Sequence, residues 1–344
     1  MYLGFLARIW YIIAGILATG AHGQEHHMPP QAQPEVVSIT ISAAGDVTLG
    51  GDHRWQGYHA FMRYYRNNGM EHFFYNVRDI FYASDLSIVN LEGALTDITY
   101  PHMDKPFVFR APPHFARILT YGNVDVVAIA NNHTIDFFAQ GIVDTRQALT
   151  AEGIGYFGWD FNKIIDVNGI NVGLFGHMIW WDSPQNREHI TNSIQDLQSR
   201  GADLIIAYYH WGVELANVPE RYQIDIGRFT IDSGAHLVLG SHPHVLQGIE
   251  SYNGWNIVYS LADFSFGGNA NSFDQDAMIF QQTFTFVDGI LQQDNEINII
   301  PVFMSSVRTH NNFRPTVAYG ADAERILGRI ESLSTVLRSG INVE

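Results

Sequence analysis

One stretch of the sequence, Leu237-Val238-Leu239-Gly240-Ser241-His242-Pro243-His244, constrains the fold more than any other. Its first four residues are apolar or small, as in a strand buried on both faces, and the chain then turns into two histidines. A His-x-His pair brings two imidazoles to one small volume, which suits two neighbouring metal ions. A pair of histidines beside a strand is also common in a hydrogen-bonded loop. Whether this pair binds metal therefore has to be judged from the other strands of the chain.

The same pattern, a predicted strand that ends in an ionisable or amide side chain, recurs along the chain. The predicted strands 36–41, 86–89, 124–129, 204–209 and 237–240 are followed by Asp46, Glu92, Asn131-Asn132-His133, His210 and His242/His244, respectively. Ligands of open α/β sheets bind outside the carboxyl ends of the strands. Helical patterns over 73–82, 141–151 and 222–232 alternate with the strands, and a looser segment surrounds Trp180-Trp181. The sequence therefore predicts an α/β domain, with antiparallel strands towards its end.

The side chains at these strand ends offer oxygen and imidazole ligands but no sulfur. Such a set favours borderline-to-hard divalent ions such as Mn, Fe, Zn or Co. The candidates exceed the needs of one tetrahedral site, which favours two ions sharing a carboxylate, a pair able to clamp a phosphoryl or carbonyl oxygen. Each residue also has an ordinary explanation, as a turn residue, a helix cap or a side chain packed at a sheet edge. It is less plausible that five independent strands end in possible metal ligands by accident than that these residues form one metal site.

Composition limits the possible partners. The chain has 344 residues, 46% of them hydrophobic, and carries 35 acidic against 19 basic side chains for a net charge of −16. Without a basic excess to replace counterions, nucleic acid is excluded as a partner. An anionic substrate needs a local positive centre, such as bound metal. The absence of cysteine excludes disulfides, thiolate zinc sites and a lipid-modified cysteine anchor.

The N-terminal residues 1–23 have the pattern of an export signal. Arg8 supplies a positive charge, an apolar run covers 9–17, and Ala21-His22-Gly23 fits a cleavage site. The alternative is an uncleaved membrane anchor, but the run after Arg8 is shorter than the roughly 20 apolar residues that cross a bilayer. Residues 24–35, rich in His, Gln and Pro, are predicted to form a flexible leader. The protein is thus expected to be exported, to the periplasm, the cell surface or the medium.

Six motifs, in this order, resemble those of the CapA family, which is linked to poly-γ-glutamate capsule synthesis and is similar in fold to the calcineurin-like metallophosphoesterases. They are Ala44-Gly45-Asp46-Val47, Asn90-Leu91-Glu92, Phe109-Arg110-Ala111-Pro112, Asn131-Asn132-His133, His210-Trp211-Gly212-Val213-Glu214 and Gly240-Ser241-His242-Pro243-His244. The resemblance implies a four-layer α/β/β/α metallophosphatase-like sandwich with mixed sheets over 36–310. A C-terminal extension over 311–344 would end in a helix.

The resemblance also implies roles for individual residues. Asp46 and His244 would bind one metal ion, Asn132, His210 and His242 the other, and Glu92 would bridge them. His133 would protonate the leaving group, with Asp136 fixing its tautomer. Substrate contacts would come from Arg110, Glu214 and Asn131, with Arg110 offering a bidentate fork to a carboxylate or phosphate.

Three positions depart from the pattern of the resembled proteins. Thr48 stands where the phosphoesterases usually carry a histidine, and Glu92 stands where their bridging residue is an aspartate. Ala262-Asp263 replaces the usual Gly-Asn of the late strand motif, so Asp263 either adds a ligand or preserves a turn. The first metal site is therefore expected to be poor in ligands.

Three functions agree with these observations. The first is an exported metal-dependent protein that acts in the synthesis, export or trimming of poly-γ-glutamate or a similar anionic polymer, by metal-activated hydroxide chemistry at an amide or phosphoryl centre. The second is an extracytoplasmic metallophosphoesterase acting on a small substrate. In both cases the enzyme would be a metal-dependent hydrolase, phosphoesterase-like or a γ-glutamyl hydrolase or transferase, and the substrate would be an anionic polymer or a small phosphorylated or γ-glutamyl compound. The third is a non-catalytic polymer-binding subunit working with membrane polymer-synthesis proteins.

Overall fold

Seventeen strands and seven α-helices are found in the computed structural model, which describes residues 33–101, 105–294 and 296–338. The strands are β1 (Val36–Thr48), β2 (Leu86–Leu91), β3 (Ala94–Leu95), β4 (Arg110–Ala111), β5 (Val126–Ala128), β6 (Gly155–Phe157), β7 (Lys163–Val167), β8 (Ile170–Ile179), β9 (Leu204–Trp211), β10 (Leu237–Ser241), β11 (Ile249–Tyr252), β12 (Trp255–Val258), β13 (Asp263–Phe266), β14 (Asp276–Val287), β15 (Ile290–Leu291), β16 (Glu296–Phe303) and β17 (Thr316–Val317). The predicted signal peptide and residues 24–32 of the predicted leader lie outside the described residues.

The helices lie between the strands and at the C-terminal end of the described chain. They are α1 (Gln56–Asn68), α2 (Arg78–Tyr82), α3 (Ala116–Tyr121), α4 (Phe138–Ala151), α5 (Pro184–Ser199), α6 (Arg221–Asp232) and α7 (Gly320–Arg338), with 3₁₀ turns at Met70–His72 and Pro113–Phe115. None of the helices described is both long and apolar enough to pass through a bilayer.

Two mixed sheets form the body of the fold. The larger has the order β17-β16-β14-β1-β2-β5-β6, with β13 beside β1 and β15 beside β14. In it, β1 runs parallel to β2 and β13 and antiparallel to β14. The smaller sheet has the order β11-β12-β10-β9-β8-β7, with parallel pairs in its centre and antiparallel pairs at both edges. The short strands β3 and β4 pair with each other.

The two sheets pack face to face, with helices on the outer sides. Along β9, Leu204, Ile206 and Tyr208 join the core shared with the larger sheet, and the alternate residues Ile205, Ala207 and Tyr209 join a second core containing residues of α5 and α6. The shared core also includes residues of α1, α2, α3 and α4. This alternation is the period of two that a strand buried on both faces requires. The predicted α/β/β/α sandwich with mixed sheets is confirmed.

The carboxyl ends of the central strands of both sheets meet. In the larger sheet Asp46 is in register with Asn90 of β2 and Asp263 of β13. In the smaller sheet Ser241 of β10 is paired with His210 of β9. The Tyr208 hydroxyl donates a hydrogen bond of 3.0 Å to the Ala44 carbonyl, which fixes one sheet against the other beside these ends.

Several element boundaries differ from the sequence-based expectation. β1 extends to Thr48, so Asp46 lies inside the strand rather than just past it. The helical region expected over 73–82 is replaced by α1, which lies earlier, and by the short α2. The segment after Trp180-Trp181 is the regular helix α5, not a loose region. The segment after residue 310 contains β17, which pairs with β16, and α7, which packs on β16 and β11.

Candidate metal centre

Asp46 is fully buried and its carboxylate is held from two sides. Its Oδ1 accepts a hydrogen bond of 2.7 Å from Asn90 Nδ2, and its Oδ2 accepts one of 3.1 Å from the His242 backbone N–H. The preceding Gly45 allows a close approach, because a Cβ there would lie 1.8 Å from the Ala262 carbonyl oxygen. These contacts join the ends of β1, β2 and β10 around one carboxylate.

The two histidines of the His-x-His pair lie on a strained turn after β10. His242 has φ 98° and His244 has φ 57°, a region that side-chain-bearing residues adopt rarely. The rings of His242 and His210 have centroids 4.7 Å apart, and Trp180 lies edge-on to His242 at 4.7 Å. Within the described part of the chain, His242 Nδ1 has no hydrogen-bond partner.

Glu92 is a fully buried carboxylate without a hydrogen-bond partner. Neither side-chain oxygen has one among the described residues, although Oε1 lies 3.5 Å from His133 Nε2 and 3.9 Å from His210 Nε2. Burial, and secondly the charge of Asp46, raise the pKa of Glu92 well above its usual value. A buried carboxylate that accepts no hydrogen bond is costly unless a cation compensates it.

His210 presents a neutral imidazole to the same volume. Its Nε2 lies 2.8 Å from Asn132 Oδ1 and its Nδ1 lies 3.2 Å from Ser241 Oγ. Burial holds the pKa of His210 well below its usual value, and burial with the neighbouring His244 lowers the pKa of His242 to about 3. Neutral imidazoles with available lone pairs are the form in which histidine binds metals.

Asp263 contacts His244 directly, with Oδ1 2.7 Å from His244 Nδ1. Burial raises the pKa of Asp263 to about 6. Burial alone would lower the pKa of His244, but the carboxylates of Asp263, Glu92 and Asp46 outweigh it and raise that pKa well above its usual value. Ligand atoms of Asp46, His244 and Asp263 all lie within 4.8 Å of one another. The structure therefore adds Asp263 to the candidate ligands.

His133 and Asp136 form a buried pair beside this cluster. His133 Nδ1 lies 2.6 Å from Asp136 Oδ2, and the ring stacks on Phe109 with centroids 3.9 Å apart. Asp136 Oδ1 in turn accepts a hydrogen bond of 2.5 Å from Lys105 Nζ. Burial lowers the pKa of His133. The geometry leaves Nε2 as the ring nitrogen available for proton transfer.

A cleft of about 600 Å³ opens over the cluster. Its walls combine His133, His244, Asp263 and Glu214 with the apolar side chains of Trp55, Phe107, Phe109, Leu215, Phe266 and Phe273. Ligand atoms of Glu214, His242 and His244 also lie within 4.8 Å of one another, and Glu214 is exposed. Glu214 therefore lies where it can contact either a metal ion or a molecule in the cleft.

Arg110 and Asn131, both expected to contact substrate, do not line this cleft. The Arg110 Nη1 donates a hydrogen bond of 3.1 Å to the Thr96 carbonyl, and its side chain borders a small recess shared with Thr48 and Glu92. Asn131 is buried; its Nδ2 donates to the Leu91 carbonyl at 2.8 Å. The remaining predicted residues, Asp46, Glu92, Asn132, His133, Asp136, His210, Glu214, His242 and His244, are brought together.

The residues present fit a divalent cation. Three buried carboxylates, Asp46, Glu92 and Asp263, surround the same volume as the buried imidazoles of His210 and His242. The unpartnered atoms, both oxygens of Glu92 and Nδ1 of His242, are of the types that bind Mn, Fe, Zn or Co. A cation would remove the repulsion between the carboxylates and give these atoms partners.

Two further residues support the cluster and were not predicted. Asn90 donates to Asp46 and approaches His210 Nδ1 at 3.4 Å, and Lys105 fixes Asp136. Asn90 precedes Glu92 by two positions, the strand period that places both on one face, so the motif Asn90-Leu91-Glu92 contained a usable signal. Nothing local in the sequence links Lys105 to Asp136.

Comparison with known proteins gives one family. Residues 40–268, more than half of the chain, match the sequence model of the family described as "Bacterial capsule synthesis protein PGA_cap". The match includes every candidate ligand, from Asp46 to Asp263.

Similar proteins of other bacteria carry corresponding names. The "PGA biosynthesis protein CapA" of Bacillus subtilis is 32% identical over 219 residues, which cover 58% of this chain and 57% of that protein. The "Capsule biosynthesis protein CapA" of Bacillus anthracis is 26% identical over 288 residues, covering 76% of this chain and 68% of that protein. A "Probable polyglutamine synthesis accessory protein" of Mycobacterium tuberculosis is 24% identical over 294 residues, covering 76% of this chain and 75% of that protein.

Proposed function

The chain belongs to the bacterial capsule synthesis protein PGA_cap family, and on that premise we propose an exported, metal-dependent protein that acts in the synthesis, export or trimming of poly-γ-glutamate or a similar anionic polymer. The names of the Bacillus relatives, which refer to PGA and capsule biosynthesis, support the polymer. The proposed reaction is hydrolysis or transfer at an amide or phosphoryl centre, in cooperation with membrane polymer-synthesis proteins.

The observation that carries the metal-dependent part of the proposal is the unpartnered carboxylate of Glu92. Among the described residues neither of its oxygens has a hydrogen-bond partner, and Oε1 lies within 4 Å of imidazole nitrogens of His133 and His210. Burial raises the pKa of Glu92, because keeping the carboxylate ionised without a compensating charge costs on the order of several kcal/mol. A fold that maintains this arrangement is best explained by a cation that completes it.

The residues of the site would have different roles in the reaction. Asp46, Asp263 and His244 would hold one ion, Asn132, His210 and His242 the other, and Glu92 would contact both. A bound divalent ion supplies Lewis acidity and an activated hydroxide near neutral pH. Asp136 fixes the orientation of His133, so that Nε2 exchanges a proton with the leaving group at the edge of the cleft.

Metal analysis of purified protein tests the proposal most directly. The wild type is expected to hold one or two divalent ions, while His242→Ala and His210→Ala lower the occupancy because each removes a nitrogen ligand. His114→Ala is the matched control, since His114 is exposed and does not line the metal cleft. Equal metal content in all four proteins contradicts the metal centre.

Activity assays separate the proposed functions. The metal-loaded wild type is incubated with poly-γ-glutamate, with a small γ-glutamyl amide and with a small phosphomonoester, and the products are measured by chromatography. Cleavage or transfer on the polymer supports the proposal. Turnover of the phosphomonoester alone favours a small-substrate phosphoesterase, and polymer binding without turnover favours an assembly subunit.

A further inference from the structure

Beside the metal cleft lies a second recess, of about 340 Å³, with a different chemical character. We call it the α1 recess; it is lined by Gln56, His59, Ala60, Arg63, Tyr64, Ala270, Asn271, His310 and Asn311. None of these described residues is acidic. The metal cleft, in contrast, includes the carboxylates of Glu214, Asp263 and Asp274 in its lining.

One face of α1 forms the floor of the α1 recess. Gln56, His59, Ala60, Arg63 and Tyr64 follow the spacing of i, i+3, i+4, i+7 and i+8 that places side chains on one side of a helix. At a rise of 1.5 Å per residue, Arg63 lies about 10 Å along the helix from Gln56. This face of α1 therefore extends from Gln56, which also lines the metal cleft, to the cationic side chain of Arg63.

The α1 recess is continuous with the metal cleft. Gln56, Ala270 and Asn271 line both of them. The loop that carries Ala270 is held by Asn311, whose Nδ2 donates to the Phe266 carbonyl at 2.9 Å and to the Asn269 carbonyl at 2.8 Å. At the start of α1, a Cβ on Gly57 would lie 2.7 Å from the Gly267 carbonyl oxygen, so helix and loop are in close contact. The passage between the two spaces thus has fixed walls.

Arg63 is the cation available in the α1 recess. It is exposed, and among the described residues it forms no ion pair, whereas Arg325 and Arg329 are both paired with carboxylates. His59 lies one helical turn before Arg63 and offers ring N–H groups, while His310 is hydrogen-bonded to the Tyr64 hydroxyl at 3.0 Å. A chain of net charge −16 needs such a local centre to hold an anion.

We propose that the α1 recess is a carboxylate subsite, in which Arg63, assisted by His59, binds a side-chain carboxylate of an anionic polymer whose backbone enters the metal cleft. The inference rests on the proposed function and extends it, because it assigns where the polymer is held beyond the reacting bond. The planar guanidinium of Arg63 matches a carboxylate in a bidentate manner. The subsite selects polymeric acids over small neutral amides. It also holds the bound carboxylate away from the carboxylates of the metal centre, so that it adds no negative charge there.

Binding measurements test this subsite independently of turnover. A fluorescently labelled γ-glutamate decamer and the same decamer with amidated α-carboxyl groups are titrated with the full chain, and the Kd is read from anisotropy. Arg63→Gln is expected to weaken binding of the acidic decamer about ten-fold, the loss typical of one charge-assisted pair, and to leave the amidated decamer unchanged. Arg66→Gln, three residues further along α1 and outside the recess, is the matched control, with a change below about two-fold.

The outcomes separate the subsite from the proposed function. If Arg63→Gln and wild type bind the acidic decamer with the same Kd, or if both arginine variants lose the same affinity, the subsite is wrong while the polymer assignment stands. If the wild type does not bind the acidic decamer at all, both the subsite and the polymer assignment are wrong. Circular dichroism and Tm of each variant establish that the exposed substitutions leave the fold intact.

Discussion

Glu92 is positioned by its backbone and not by its side chain. Its N–H donates to the Val47 carbonyl at 2.9 Å, and its carbonyl accepts from the Thr48 hydroxyl at 2.9 Å. Thr48, which stands where a histidine ligand was expected from the resemblance, therefore fixes the end of β2. The carboxylate of Glu92 is left free of hydrogen bonds in a fixed place, which is the preorganisation that a metal ligand requires.

His133 and Asn132 are neighbours in sequence, but we expect their substitution by alanine to affect different properties, turnover in one case and metal affinity in the other. His133→Ala should keep its metal and lose about 10²- to 10⁴-fold in turnover, the usual contribution of a positioned acid or base. Asn132→Ala should lose metal affinity as well, because its Oδ1 faces His210 Nε2 at 2.8 Å. Metal content, Tm and turnover are measured on both variants. If both lower only the Tm and leave metal-normalised activity unchanged, the segment merely stabilises the local fold.

Much of the candidate site could be predicted from residues at strand ends, because parallel strands bring their carboxyl ends to one edge. Asp46, Glu92 and His210 are of this kind. Arg110 shows the limit of this inference. It belongs to one of the six motifs, but its side chain is hydrogen-bonded to the Thr96 carbonyl and does not line the cleft. The sequence around Asp263 fits a ligand and a turn residue equally, and only the contact with His244 shows how close it lies to the cluster.

At the scale of elements, the layered fold could be predicted from the sequence, but the helices α1 and α5 were not predicted. The strands have clear β-branched, apolar runs. In contrast, α1 contains Gly57, five aromatic rings including that of His59 and few strong helix formers, and it buries only Gly57 and Phe61. α5 is polar along most of its length, but Ser183 and Pro184 gave a usable start signal: the Ser183 side chain accepts from the Asn186 N–H, and Pro184 occupies the first turn. Tertiary packing, not local propensity, determines α1.

Two arginines of α7 bind one buried carboxylate, that of Asp276, at the start of β14. Arg325 binds Asp276 in a bidentate manner with distances of 2.6 and 2.7 Å, and Arg329 adds a bond of 2.8 Å. Burial alone would raise the pKa of Asp276, but these hydrogen bonds outweigh it and lower that pKa below 3.8. Because the folded pKa is depressed, the stabilisation is fully present above pH 3.8 and is lost as the pH falls through the folded value.

Asp276→Asn is therefore expected to lower the free energy of unfolding by about 2 kcal/mol at pH 7, as for a lost charged hydrogen-bond partner. The difference from wild type should persist at about pH 5 and shrink at lower pH, where the wild-type carboxyl is also protonated. Urea unfolding at several pH values measures this. Asp322→Asn is the control, because Asp322 is 57% exposed and lies 3.8 Å from Arg325, a pair worth under about 1 kcal/mol. A constant difference at all pH values contradicts the linkage.

At the scale of the whole molecule, export is predicted from residues 1–23, which lie outside the described structure. The mature chain should begin near Gln24 and be recovered outside the cytoplasm, because the apolar run after Arg8 is too short to serve as an anchor. Mass spectrometry of the N-terminal peptide in cell fractions measures both. An intact N-terminus that stays with the membrane after salt and carbonate washing contradicts cleavage and supports the anchor.

Metal binding should stabilise the whole fold, because the ends of both sheets meet at carboxylates that repel one another without a cation. Protein stripped with a chelator and titrated with Mn²⁺ or Zn²⁺ is expected to gain about 2.7 kcal/mol once the free ion reaches 100 times its Kd, seen as a saturable rise in Tm. His242→Ala should need more ion for the same rise, since a ligand is lost, while His114→Ala should follow the wild type. Chelator alone should lower the Tm of the purified wild type and leave that of His242→Ala nearly unchanged. If all three proteins show the same rise at the same ion concentration, the ion acts on exposed acidic groups, and the centre between the two sheets does not bind it.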